Sequence, residues 1–329
     1  MKAFDIIIAT YNRKESLNRL VKEILECNTL PKKLIIVDSS EKAEKKYDKE
    51  SRIKYIHCPY KNQPLQRYIG FCNSISDFLF FFDDDMRIVD KKCFEYLIKN
   101  YNKKNIVGIQ PNFDYKNKFF DNKIPHSPLR SLARKYKLIG FLRFLGGNPE
   151  IANGKFWFNG LRSEINSDTK NIEWLCGPVF SVRRSNLYKN FNFQLFKLYE
   201  KNLGKGEDAI LGYTLAQQGE IFFHHKKYFY HDDQENSQYT KDIFSYAQRV
   251  MYSRLYMSIE FSRLNKSSLL KALFLFLNYG LSRVLILIFN QLIDYQKDRN
   301  SMINGYFTGI IRACIDIKKL AKFAPYWEQ

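Results

Sequence analysis

Apolar and polar positions alternate along the first hundred residues with two distinct periods. Phe4 to Ala9 is a short β-branched run that stops at Thr10-Tyr11-Asn12-Arg13. Leu17, Leu20, Val21, Ile24 and Leu25 then recur at helical spacing. Pro31 ends that pattern, and Leu34 to Val37 predicts a second strand that runs into Asp38. Ile53 to Ile56 predicts a third strand and Gln66 to Ser76 a helix. Phe78-Leu79-Phe80-Phe81-Phe82 follows, an unbroken apolar run suited to a strand buried on both faces. Strands and helices alternating at these lengths predict an α/β domain around a largely parallel sheet. Phe94 to Ile98 predicts another helix and Ile106 to Ile109 another strand. Glu173 to Val182 predicts a strand with a Gly-Pro break, and Ile210 to Ala216 a helix. Ile221 to Phe223 and Tyr228 to Tyr230 predict two short strands. Residues 111–171 have poor periodicity, apart from a basic amphipathic stripe from Leu129 to Leu145. That stripe suits a membrane interface or a solvated helix covering the sheet.

In sheets of this kind ligands sit beyond the carboxyl ends of the strands. Thr10-Tyr11, Asp38 and Asp83-Asp84-Asp85 all fall at that edge. Three adjacent carboxylates repel one another and lose hydration near a core. A divalent cation relieves both costs, and hard oxygen ligands select Mg²⁺ or Mn²⁺. A solvated acidic turn is the alternative. Because side chains alternate along an extended chain, Asp83 and Asp85 share one side and Asp84 faces the other. Glu207-Asp208 precede a helix, where its dipole favours carboxylates. His231 follows the last predicted strand beside Asp232 and Asp233, as a ligand or as a structural histidine. No glycine-rich dinucleotide fingerprint or P-loop is present.

Lys and Arg outnumber Asp and Glu by 53 to 34, a formal charge of +19 over 329 residues. The excess calls for a polyanionic partner: nucleic acid, an anionic membrane or a phosphorylated substrate. The basic residues are dispersed and no nucleic-acid-binding motif occurs, which argues against nucleic acid. Six scattered cysteines lack any paired spacing, so they read as buried apolar residues in a reducing compartment. The apolar N-terminal start is too short for a signal peptide, which predicts a cytoplasmic body.

Taken in order, I-I-I-A-T-Y-N-R, I-I-V-D-S-S, Q-P-L-Q-R-Y-I-G, F-F-D-D-D, W-L-C-G-P, G-E-D-A-I-L-G and Y-F-Y-H-D resemble the family 2 glycosyltransferases. The resemblance spans roughly residues 3 to 235; Tyr68 stands where the family usually has Asn. It implies the GT-A nucleotide-sugar-binding fold, a mostly parallel mixed sheet flanked by helices, and inverting sugar transfer from a nucleoside-diphosphate sugar. By the same resemblance Thr10, Tyr11, Asp38, Arg67, Asp83 and Asp84 would line the donor, and Trp174 would pack near sugar or acceptor. Asp83 and Asp85 would hold Mn²⁺ or Mg²⁺, with His231 completing the site and His224 and His225 as rivals. Asp208 would be the general base, oriented by Glu207. A metal-dependent nucleotidyl or phosphoryl transferase is the second reading.

From about Lys241 the strand rhythm stops and helical spacing takes over, which divides the chain into a catalytic part, 1–240, and a helical part, 241–329. The catalytic part splits further near residue 110 into nucleotide and acceptor halves. Leu269 to Ile293 is very apolar but carries Lys271 and Arg283. A central charge in a spanning helix costs about 2.5–3.5 kcal/mol, and neither uncharged piece reaches the roughly eighteen residues a span needs. Residues 241–329 hold thirteen Lys/Arg against six Asp/Glu. The expectation is peripheral attachment to the inner face of the cell membrane. Burial of this helix on the catalytic part or on a second copy is the alternative. The N-G-Y-F-T-G-I stretch near residue 304 resembles the basic, apolar tails of relatives that build surface polysaccharides, and that resemblance implies a lipid-linked saccharide as acceptor.

Overall fold

The computed structural model describes residues 2–43, 47, 50–116, 128–135, 154–156, 162, 163, 165, 167–188, 190–232 and 242–321. The expected stripe beyond Lys135, including Lys137 and Arg143, lies outside them. Among the described residues, nine strands form one mixed sheet. The first four, β1 (Phe4–Thr10), β2 (Lys33–Asp38), β3 (Ile53–His57) and β4 (Phe78–Asp83), pair side by side and all parallel in the order β3-β2-β1-β4. Helices α1 (Lys14–Leu25) and α2 (Gln63–Cys72) are their crossovers. Every side chain of β1 is buried, as expected of a strand covered on both faces.

Asp5, the one carboxylate inside β1, is fully buried yet satisfied. It accepts the backbone N–H groups of Lys33, Ile75 and Ser76 and the Ser76 hydroxyl. Gln66 of α2 donates to the carbonyls of Thr10 and Val37, both at 2.8 Å, and so locks the ends of β1 and β2 together. Gly70 lies so close to Ile7 that an added Cβ would stand 2.3 Å from that side chain. The absent side chain lets α2 sit tight on the sheet.

The other half of the sheet contains β5 (Met86–Ile88), β6 (Ile106–Lys116), β7 (Thr169–Ile172), β8 (Val179–Arg183) and β9 (Glu220–Asp232). Strand β8 runs antiparallel to both β4 and β6, and β9 runs parallel to β6. The expected strand from Glu173 starts only at Val179, because Trp174–Pro178 form a loop bonded to the site. The two short strands expected at 221–223 and 228–230 are one continuous β9. Its partner β6 shifts register at Pro111–Phe113, and that irregularity carries the pairing past the polar His224–Lys227 stretch.

Helices α3 (Cys93–Asn100), α5 (Arg184–Leu187), α6 (Phe193–Glu200) and α7 (Glu207–Ala216) belong to this half, whereas α4 (Pro128–Lys135) packs on the C-terminal helices. The chain ends in α8 (Ile243–Leu264), α9 (Leu269–Ile293), α10 (Lys297–Ile315) and α11 (Ile317–Ala321). These helices do not stand apart. One core cluster joins Leu195, Leu198, Leu203, Ile210 and Tyr213 to Met251, Leu255, Tyr256 and Phe261 of α8, and onward to Phe276 of α9 and Ile310 of α10. By length and composition α9 could cross a membrane, and only 28% of its most apolar window is buried.

Candidate active site

The carboxyl ends of β1, β2 and β4 bring Thr10, Asp38 and the Asp83–Asp85 turn to one edge, in register. Asp83 Oδ1 accepts Gln63 Nε2 at 2.7 Å and Arg67 Nη2 at 2.8 Å. Asp85 Oδ2 accepts Arg13 Nη1 at 2.5 Å, while Oδ1 receives no aligned hydrogen bond although His231 Nε2 stands 3.1 Å away. Asp83, Asp85 and His231 each offer a ligand atom, and these atoms lie within 4.8 Å of one another. The register of β5 on β9 explains how His231 arrives, since Met86 pairs with His231 one residue past Asp85. Two carboxylates and an imidazole around a buried, unbonded oxygen fit a divalent cation such as Mn²⁺ or Mg²⁺. His224 and His225 lie elsewhere: His224 meets Tyr228 and Asp168, and the His225 backbone donates to Asp168.

Asp84 turns away from this group. Its carboxylate accepts the Thr10 hydroxyl at 2.7 Å and Arg13 Nη1 at 3.0 Å, all deep in the fold. Burial pushes Asp84 up to about 7 despite Arg13, with Asp85 adding to the rise. Burial likewise raises Asp83, helped by Asp85 and opposed by Arg67. Burial alone would raise Asp85 too, but its contact with His231 and its pairing with Arg13 prevail and hold it below the ordinary carboxylate range. Asp38 accepts the Ser40 backbone N–H and the Tyr55 hydroxyl at 2.8 and 2.7 Å, which fix its carboxylate at the strand edge. Tyr11 stays half-buried with Lys61 4.4 Å above its ring.

The second pair of acids meets the first through Arg67. Its guanidinium donates to Asp83, to Glu207 Oε1 and to the Gly177 carbonyl, each at 2.8 Å. Arg67 is therefore an internal tie between the acids, and it also forms part of the wall of the adjoining cleft. Glu207 is held on its other oxygen by the Tyr199 hydroxyl. Burial raises the Glu207 pKa, and so does the charge of Asp208. Asp208 Oδ2 accepts only the Gly177 N–H among its described bonds, at 2.7 Å. Pro178 accepts the backbone N–H of Asp83, so Gly177-Pro178 joins both acidic ends. A cleft of about 450 Å³, including solvent at its mouth, opens beside Arg67, Glu207 and Asp208. Its walls are mostly apolar, with Phe81, Phe180, Phe191 and Phe196 among them.

Trp174 is not part of this constellation. It is buried against Phe223 with Arg162 stacked on its ring at 4.9 Å. Conversely, Arg13, Gln63, Gly177 and Tyr199 contact the acids and were not singled out from the sequence. Arg13 and Gln63 sit inside the T-Y-N-R and Q-P-L-Q-R stretches, where a signal was present. Tyr199 has none, because its role depends on how the 200–206 loop folds back.

That loop is shaped by glycine and by α8. A Cβ on Gly204 would stand 2.1 Å from the Tyr199 ring. Gly206 has φ of 89°, the left-handed region, and faces Met257 of α8. Ser253 donates to the Leu203 carbonyl at 2.5 Å and Arg249 to the Asn202 carbonyl at 2.8 Å. The helix that presents Glu207 and Asp208 thus starts from a loop gripped by the C-terminal helices.

Residues 5–170 match the family described as Glycosyl transferase family 2. Among solved structures, residues 1–349 of S. aureus TarS align over 97% of this chain and 92% of that one, with 16% identity and a TM-score of 0.47. The same protein in complex with UDP-GlcNAc aligns over the same shares with 14% identity and a TM-score of 0.47. No curated protein matches the sequence. The family match covers half of the chain and contains its T-Y-N-R, Q-R and D-D-D stretches, so the protein is a member of the family 2 glycosyltransferases and a glycosyltransferase.

Proposed function

We propose that the protein is an inverting glycosyltransferase that moves a sugar from a nucleoside-diphosphate sugar to a hydroxyl of a saccharide acceptor, in bacterial surface-polysaccharide assembly. The observation that carries this reading is the pairing, through Arg67 and Gly177, of the Asp83–Asp85–His231 group with the Glu207–Asp208 pair. Direct displacement at the anomeric carbon needs two chemical provisions: stabilisation of charge on the leaving diphosphate, and removal of a proton from the attacking hydroxyl. Asp83, Asp85 and His231 would hold Mn²⁺ or Mg²⁺, which when bound neutralises diphosphate charge.

Asp208 is the base in this reading. One of its oxygens is oriented by the Gly177 N–H and its carboxylate faces the cleft. Glu207, with both oxygens engaged by Arg67 and Tyr199, orients its neighbour and is not itself placed to receive a proton. Thr10 and Asp84 support the turn that presents Asp83 and Asp85. Tyr11 and Asp38, at the same edge, are the residues we assign to the nucleoside side of the donor. The acceptor is lipid-linked and reached from the cytoplasmic face of the membrane.

A thermal-shift screen against nucleoside diphosphates and nucleotide sugars, with and without Mn²⁺, tests the donor class. Transfer with release of nucleoside diphosphate is expected, and Asp208→Asn should lower it by about 10²–10⁴-fold. Release of pyrophosphate instead would favour the nucleotidyltransferase reading, and wild-type transfer by Asp208→Asn would remove the proposed base.

A further inference from the structure

The solvent-facing side of α9 inverts the usual arrangement of a surface helix. Leu270, Phe274, Leu281, Leu285, Phe289 and Leu292 fall on one side of the helix, at steps of three, four or seven residues, and are all exposed, Leu270 and Leu292 at 78%. Asn290 points inward, at 1% exposure, whereas Lys271 and Asn278 stand exposed beside the apolar side chains. At 1.5 Å per residue this apolar stripe runs about 33 Å, and an exposed apolar surface of that extent marks an interaction site.

The neighbouring helix sets the orientation of the stripe. Gly280 packs on Ile310, and a three-residue connection joins α9 to α10, so the two helices form an antiparallel hairpin. Exposed Phe307, Ile311 and Ile315 therefore lie level with the first half of α9. At that same end Lys266, Lys271, Arg312, Lys318 and Lys319 are all exposed. Asp316, an acid at that end, is engaged by the Tyr252 hydroxyl at 2.7 Å. At the other end exposed Tyr295 caps the stripe, and α4 docks through the Leu129 N–H to Asn290, leaving Leu132 exposed.

We infer that the exposed side of the α9–α10 hairpin is a docking surface for an anionic lipid bilayer, on which α9 lies flat. A largely apolar stripe, broken at Asn278, with a basic cluster at one end complements hydrocarbon beneath anionic headgroups. A second copy of this chain would bring the same net charge of +19, which opposes pairing of the two basic faces. Crossing the bilayer is opposed by the packing itself. Ala272, Phe276, Tyr279 and Gly280 are buried in the shared core, and α10 returns along α8 with Gly305 against the Phe244 carbonyl. A span would tear that face from α8. The inference extends the membrane-located acceptor of the proposed function but does not share its test.

Flotation of the full-length protein with phosphatidylcholine vesicles, with or without phosphatidylglycerol, tests it. Wild type should float with the anionic vesicles and be released by alkaline carbonate. Phe274→Glu/Leu281→Glu/Leu285→Glu should abolish flotation, and Lys318→Glu/Lys319→Glu should weaken it by at least roughly 25-fold. Both variants should keep the wild-type melting temperature and lipid-free release of nucleoside diphosphate, which isolates docking from catalysis. Equal flotation by the triple variant would overturn the surface. Resistance to carbonate would overturn the flat orientation. Concentration-dependent dimerisation without flotation would overturn the lipid in favour of a second copy.

Discussion

At the scale of single residues, the three consecutive aspartates do different work because their surroundings differ. Asp85 keeps one buried oxygen without an aligned hydrogen bond, whereas Asp84 spends both oxygens on Thr10 and Arg13. Asp85→Ala should therefore abolish the thermal shift given by Mn²⁺ and lower transfer by at least about a hundredfold. Asp84→Ala should spare Mn²⁺ binding more, yet cost about 1–3 kcal/mol of stability by orphaning buried donors. Equal loss of the Mn²⁺ shift in both variants would contradict that division. Protonation gives a second check on Asp84. Its pKa is raised from 3.8 to about 7, so the folded state holds a proton that the unfolded chain releases. Stability from this group is then present below 3.8 and is lost as pH rises towards 7. Asp84→Asn removes that dependence, so its melting temperature should gain on wild type across the same interval, measured with chelator present.

At the scale of elements, the N-terminus of α7 is positioned by α6 and α8 as much as by its own sequence. Tyr199 of α6 reaches Glu207, and Gly204 leaves room for the Tyr199 ring. Tyr199→Phe removes one hydrogen bond to a buried carboxylate, worth about 1.5–3 kcal/mol where the acceptor is charged. With that donor gone, the Glu207 pKa rises further. The expected result is a drop in kcat of about tenfold with KM for donor little changed, and an acid limb of the pH–rate profile displaced to higher pH. An unchanged profile would reduce Tyr199 to packing.

At the scale of the whole molecule, the C-terminal helices share a core with the acid-bearing half. Tyr256 of α8 donates to buried Asn192 at 2.9 Å, while Ser253, Arg249 and Met257 hold the 202–206 loop. Residues 1–240 expressed without the remainder should therefore lose the α7 loop geometry. Either insolubility or transfer reduced by at least about a hundredfold is expected, and full activity of that fragment would show that α8 is dispensable.

Several features were settled locally and so were legible in the sequence. The Phe78–Phe82 run had to be a buried strand, and the polar stops at Thr10, Asp38 and Asp83 had to share an edge, because parallel strands in one sheet end together. Asp83 and Asp85 do come together away from Asp84, but a turn at Asp84–Asp85, rather than strand alternation, brings them there. Tertiary contacts decided what local pattern does not encode. Arg67 and Thr10, read as donor contacts, are also bonded to Asp83, Glu207 and Asp84, and Trp174 is drawn into the core by Phe223. Tyr199 gains its role only through a loop that folds back under α8. The same holds for α9: its composition was plain from the sequence, but which face stays exposed was fixed only when Ala272, Phe276 and Gly280 found partners on α8 and α10. Side chains far apart in sequence compete for the same buried donors and spaces, and only the folded chain records which of them prevailed.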